Sequence, residues 1–214
     1  MYIPAHFSQS DAGVIRQLID ANPLAALVAM GPAGLVANHL PLLRDGEGLI
    51  GHVALANDLH RDLPEGAPVL AIFRAGDAYV SPNWYPSKAE THQAVPTWNY
   101  RVVHVHATLH WSHETRDKRR IVNLLTTQHE RAVHGAEGWR MGDAPADYLA
   151  GMLDKIVAFR LSITRIEAKD KLSQNRSAAD VASVAAALQA RGQGAIAAAM
   201  RGDDDQVIPG STQR

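Results

Sequence analysis

The chain has 214 residues, 46% hydrophobic and 20% charged, the make-up of a globular protein large enough to bury its own core. It holds no cysteine, so disulfide scaffolds, thiolate metal sites and cysteine nucleophiles are excluded. The net charge of −1 is unevenly spread: residues 1–100 carry 5 basic and 9 acidic side chains, residues 101–176 carry 13 and 9, and residues 177–214 carry 3 and 4. A dedicated nucleic-acid binder shows a strong basic excess. Here only the middle segment does, enough for a local anion site. The start, MYIPAHFSQSDAG, lacks the charged and apolar regions of a signal peptide, and no apolar run approaches the roughly 20 residues of a membrane helix. These features predict a soluble cytoplasmic protein that does not engage a membrane.

A first helix is expected over residues 10–21, capped by Ser10 or Asp11 and carrying Val14, Ile15, Leu18 and Ile19 at helical spacing. Asn22-Pro23 ends it. Short apolar runs follow at 24–30, 34–43, 49–56, 69–73 and 78–81, separated by Gly31-Pro32, Asp45-Gly46-Glu47-Gly48 and Gly76-Asp77. Runs of that length between glycine turns predict an antiparallel meander closing into a sandwich or small barrel. Residues 82–96, with three prolines and no period, read as a long loop of the kind that often carries function. The longest strand is expected over 98–113. Its odd positions (Val103, Val105, Ala107, Leu109, Trp111) should face the core, and its even positions (Trp98, Tyr100, Val102, His104, His106, Thr108, His110) form an aromatic, imidazole-rich second face. A helix is expected over 115–132, another from an Asp143 cap to Leu153, and a strand over 156–166. Residues 169–176 read as a polar turn, and 178–200 as an alanine-rich helical tail broken at Gly192-Gln193-Gly194, with a frayed end over 202–214. Two parts result: a barrel over 1–176 and a helical tail over 177–214.

Most familiar catalytic patterns are missing. His129-Glu130 with His134 misses the zinc-peptidase spacing by one position, which turns the two rings about 140° apart on a helix. His104, His106 and His110 share a strand face, but no acidic residue accompanies them, and no metal site is assigned. There is no glycine-rich phosphate loop and no nucleophile elbow, and no catalytic residue is assigned. What stands out is three donor-rich segments: YVSPNWYPSK at 79–88, VPTWNY at 95–100 and KDKLSQNR at 169–176. Trp84, Tyr85, Trp98 and Tyr100 cluster within them. Flat side chains beside Asn, Gln, Ser and Lys suit a planar, hydrogen-bonding ligand that carries an anion. The same composition also suits a proline-braced loop whose rings plug a barrel mouth.

At these residues the chain resembles the PaiB-like family, the FMN-binding negative transcriptional regulators. The matching pieces are MYIPAHF at 1–7, NHLPLL at 38–43, IGHVALAND at 50–58, YVSPNWYPSK at 79–88, VPTWNY at 95–100, VHVHA at 103–107, APADYLAGML at 144–153 and KLSQNR at 171–176. The resemblance implies a mainly β fold with peripheral helices, the FMN-binding split β-barrel. It also implies a homodimer with flavin sites at the shared interface. By position it places His52 and Asn57 on and just after a strand approaching the flavin phosphate. Ser81, Trp84, Ser87 and Lys88 fall on the loop near ring or phosphate, and Thr97, Trp98 and Asn99 open the next strand at the pocket. Lys171, Ser173, Gln174 and Arg176 close it from the same or the partner chain. Lys88 and Arg176 are the expected phosphate partners, since charge-assisted bonds suit an oxyanion. The family's role implies a regulator or flavin-linked sensor. The alternative is an FMN-dependent oxidoreductase of the pyridoxamine-phosphate-oxidase type, with a haem-related role as a minor variant and a non-flavin pocket as a third reading. DNA is a weakly supported partner, because the tail offers only Arg191 and Arg201 as basic residues among its helices.

Overall fold

The computed structural model describes residues 1–203, so the frayed end expected over 202–214 lies outside the described residues from 204 onward. The strands are β1 (Ser8–Gln9), β2 (Leu24–Gly31), β3 (Gly34–Pro41), β4 (Leu43–Asp45), β5 (Gly48–Ala54), β6 (Pro68–Val80), β7 (Thr97–Ser112) and β8 (Ile156–Lys171). The helices are α1 (Ala12–Ala21), α2 (Leu59–Asp62), α3 (Lys88–Thr91), α4 (Thr115–His134), α5 (Ala146–Leu153), α6 (Ala178–Gln189) and α7 (Gly194–Arg201). The strands follow the order β3-β2-β6-β7-β8-β5-β4, with β1 on β8. The antiparallel sheet with peripheral helices expected from the sequence is the one observed, with helix as abundant as strand.

The chain forms two compact units from interleaved segments. The first comprises, among the described residues, 1–21, 74–103 and 167–203. Its helix α1 starts where Asp11 Oδ1 accepts from the amides of Gly13 at 2.6 Å and Val14 at 3.0 Å, satisfying donors that a first turn leaves open. The helical tail is described through residue 203. Val184, Ala185 and Leu188 of α6 and Ile196, Ala197 and Met200 of α7 share one apolar core with Ala78, Val80, Tyr85 and Leu172. The second unit comprises 22–73 and 104–166. There β2 and β3 form a hairpin whose end is turned by Gly34 at φ 117°, a conformation that favours glycine. Helix α4 lays Ile121 and Leu125 on Ile50 of β5 and Ala158 of β8. Gly51 sits where strand and core approach closely: a Cβ there would come within 2.7 Å of Phe159 Cζ and 2.9 Å of Leu42 Cδ2.

Three expectations change. Gly76-Asp77 does not turn the chain: β6 runs unbroken from Pro68 to Val80, with Gly76 inside it at φ 93°, a conformation that favours glycine. Strand β8 continues to Lys171 through residues that read as a polar turn. Lys169 and Asp170 are buried there with partners, Tyr2 O and Arg101, so their polarity concealed a strand. Asp143 does not cap α5, which begins after Pro145; its carboxylate accepts from Arg140 N at 2.8 Å and closes a short 3-10 turn. Strand β7 matches its pattern, with Val103, Val105, Ala107 and Leu109 buried and Tyr100, His104, His106, Thr108 and His110 half-open; Val102 is the buried exception on that face.

Candidate functional site

Eleven of the thirteen residues singled out in the sequence belong to the first unit. The loop after β6 begins with Ser81, whose Oγ accepts from Asn83 N at 3.2 Å and caps the 3-10 turn Pro82–Trp84. Lys88 opens α3, and its ammonium donates to Asn83 Oδ1 at 2.5 Å, so the loop folds back on itself. Ser87 turns inward and gives both its amide and its hydroxyl to the Asp180 carboxylate, at 3.1 and 2.8 Å. Trp84 lies under the Arg191 guanidinium at 4.7 Å, and the next ring, Tyr85, under Arg176 at 4.8 Å.

At the start of β7, Thr97, Trp98 and Asn99 alternate between two faces. Thr97 Oγ1 and Trp98 O both accept from Lys171 Nζ, the latter at 2.7 Å. Burial pushes the Lys171 ammonium below its ordinary pKa; Tyr100 opposes that shift and Lys169 adds to it. Trp98 is 53% exposed and meets the exposed Tyr79 edge to face, with centroids 6.0 Å apart. Asn99 is fully buried. Its amide donates to Ser173 Oγ at 3.0 Å and to Met200 Sδ at 3.3 Å, and its oxygen accepts from Ser173 Oγ at 3.1 Å. Gln174 closes its own turn, donating to Asp170 O at 2.6 Å and accepting from Leu172 N at 2.8 Å.

The other two, His52 and Asn57, belong to the second unit. His52 stands on β5 beside Gly51, and its Nδ1 is buried with no hydrogen-bond partner among the described residues. Burial lowers its pKa, which favours the neutral imidazole. Asn57 Nδ2 donates to Asn38 Oδ1 at 2.9 Å, while its own oxygen accepts from Leu59 N at 3.0 Å and starts α2.

The first unit thus joins Lys171 with Thr97 and Trp98, Asn99 with Ser173, and Lys88 with the Ser81–Trp84 turn. Ser87, Asn99, Ser173 and Gln174 spend polar atoms on internal bonds. Trp98, Trp84, Lys88 and Arg176 keep part of their surface open. A flavin asks for flat contacts, partners for its ring edge and cations for its phosphate. Trp98 with Tyr79 offers the first, and Lys88 and Arg176 the third, within the first unit. The residues present fit the group. Among the described residues no cluster of three His, Asp or Glu is placed to hold a metal, and no helix is long and apolar enough to cross a membrane. Sequence reasoning missed Asp180 and the Arg101–Asp170 pair. For Asp180 a signal existed: Ser177-Ala-Ala-Asp180 has the spacing of a capping box, and Ser177 Oγ accepts from Asp180 N at 3.2 Å.

A family model described as "Putative FMN-binding domain" matches residues 1–165. The protease synthase and sporulation protein PAI 2 of Bacillus subtilis is 30% identical over 194 residues, 88% of this chain and 89% of that protein. An uncharacterized protein of Saccharomyces cerevisiae is 31% identical over 150 residues, 59% of this chain and 87% of that protein. Among solved structures, the FAD and heme binding protein from Mycobacterium smegmatis superposes with a TM-score of 0.57 at 21% identity, covering 77% of this chain and 73% of that one. A flavocytochrome from Azotobacter vinelandii gives 0.61 at 14%, covering 79% and 72%. At these identities the structural likenesses show a shared fold, the split barrel expected from the sequence.

Proposed function

The chain belongs to the PaiB-like family of FMN-binding domains, and from that premise we propose that it works in the cytoplasm as a homodimeric flavin-linked regulator or sensor. The observation that carries the reading is the Trp98–Tyr79 pair. Two large rings stay exposed at the mouth of a strand, and Lys171 anchors the Trp98 backbone. Rings left open where a core was available are surfaces for a flat ligand.

Bound FMN supplies a redox couple with coloured and colourless states. In this reading Trp98 and Tyr79 offer flat apolar surface to the ring system, and Trp84, stacked under Arg191, supports the loop beside them. Lys88 and Arg176 meet the phosphate, each having donors beyond its observed contact. Ser87, Asn99, Ser173 and Gln174 hold the segments that carry these groups.

The proposed dimer rests on the β2–β3 face. Leu24, Met30 and Leu35 are exposed there, Leu35 at 72%, and the register puts Met30 opposite Leu35 and Val28 opposite Ala37. On β6, Leu70 pairs with Val28 and Ile72 with Ala26, which extends the same apolar face. A contiguous face of that kind suits a second copy. Regulation is proposed to be indirect. Arg191 is stacked on Trp84 and bonded to Ala187 O, and Arg201 pairs with Asp203, so neither basic residue of the tail helices stands ready for phosphates. The test is a spectrum of purified protein, a titration with FMN and a molar mass by light scattering. Flavin uptake by a species of twice the chain mass supports the reading. A monomer that takes up no flavin refutes it. Turnover of a reduced nicotinamide by the flavin-loaded protein would replace the regulator with the oxidoreductase.

A further inference from the structure

We propose that the C-terminal helices α6 and α7 are the brace that shapes the ligand-binding loop 81–92, with Asp180 as its positioning residue. The loop has little means of holding its own shape. Its regular structure is one 3-10 turn and the four-residue α3, it contains Pro82 and Pro86, and its own bonds run between near neighbours. A short helix of this kind does not persist without tertiary contacts.

The tail, with Arg176 at its threshold, supplies those contacts at three points. Asp180 lies in the first turn of α6, is only 3% exposed, and accepts from both Ser87 N and Ser87 Oγ. A buried carboxylate needs such partners, since an unpartnered one is strongly disfavoured. Burial by itself would raise its pKa, but the bonds from Ser87 and Ser177 and the charge of Arg176 outweigh burial and hold it below its ordinary value. Arg176, just before α6, covers Tyr85, and Arg191, just after it, covers Trp84. Beneath these, Tyr85 is packed into the core that Val184, Leu188, Ile196 and Met200 build. Further along, Met200 Sδ accepts from Asn99, so α7 also touches the strand that carries Trp98.

The consequence is specific. Asp180 does not face the ligand; it sets the position of Ser87 and so of its neighbour Lys88. The tail is therefore part of the binding site's construction. The functional half of this inference rests on the flavin reading above, and the structural half does not.

The experiment uses the full chain with Asp180→Asn and Asp180→Ala. Trypsin cleavage after Lys88 is followed by the mass of fragment 1–88, and FMN affinity and the bound-flavin spectrum are measured in parallel. Asp180→Asn keeps the shape of the side chain and guards against a variant that fails to fold. Loss of the carboxylate should speed cleavage after Lys88 about tenfold relative to other lysines and arginines, and weaken FMN about tenfold or more. The spectrum of residual bound flavin should move towards that of free flavin, which a general loss of stability would not produce. Adding Ser87→Ala to Asp180→Asn should cost little more than Asp180→Asn alone, because the two act through one contact. Unchanged cleavage in both Asp180 variants overturns the brace, whatever flavin does. Faster cleavage with unchanged FMN affinity overturns its role in binding. A wild-type chain that takes up no FMN defeats the flavin reading, and the cleavage rates still decide the brace.

Discussion

Replacing Asp170 by alanine would remove one half of a buried ion pair while leaving its partner in place. Arg101 donates from Nε to Oδ1 at 3.1 Å and from its terminal nitrogen to Oδ2 at 2.7 Å, and Gln9 Nε2 adds a third bond at 3.1 Å. Both side chains are 8% exposed. Breaking such a pair from one side costs about 3–5 kcal/mol, because a desolvated guanidinium is left short of its carboxylate. At about 2–4 °C per kcal/mol for a chain of this size, the thermal midpoint should fall by roughly 6–20 °C. Removing both charges together, as Arg101→Met with Asp170→Leu, should recover most of that loss, since a hydrophobic pair of similar volume is often as stable. Circular dichroism melts of the wild type, the single variants and the double variant give the measurement. An Asp170→Ala midpoint within about 2 °C of wild type would show that the pair is not desolvated.

Other expectations follow from the same structure. Lys88→Ala with Arg176→Ala should weaken FMN binding by about 10- to 100-fold with little change in melting, because both side chains are partly exposed; an unchanged titration removes them from the phosphate site. Gly51→Ala should destabilise by about 1–3 kcal/mol, since its methyl would press on Phe159 and Leu42; a neutral melt would mean that β5 yields easily. Trp98→Ala should impair flavin uptake, read by titration, and a normal Kd would detach that face from the ligand. Acid should destabilise in two windows. His52 has a pKa lowered by burial, so its share of stability is complete above about 6.5 and fades as pH falls from there through the folded value. Asp180 is also lowered, so its share is complete above about 4 and fades below. His52→Gln should flatten the melting curve between pH 7 and 5, and an unchanged slope there would clear His52.

Much of the fold was legible because the relevant signals are local. Asp11 announces α1 through its own first turn, and the alternation of Val103, Val105, Ala107 and Leu109 declares the buried face of β7. The failures share a cause. Lys169 and Asp170 read as solvent-loving until Tyr2 and Arg101, far away in sequence, are placed beside them, and Gly76 reads as a turn until a long strand runs through it. The site divides in the same way. Its exposed rings and cations are visible as composition. The difference between a ligand group and a structural one is not, since Asn99 and Trp98 are adjacent residues with opposite fates, one sealed against Ser173 and Met200 and the other left open. That difference depends on which face of a strand a long-range partner covers.

The most direct test is a titration of the purified chain with FMN, followed by quenching of flavin fluorescence, together with the molar mass of the complex. The account predicts saturation at one FMN per chain on a dimer. Failure to quench at any concentration, or saturation unaffected by loss of Trp98, Lys88 and Arg176 together, would contradict it.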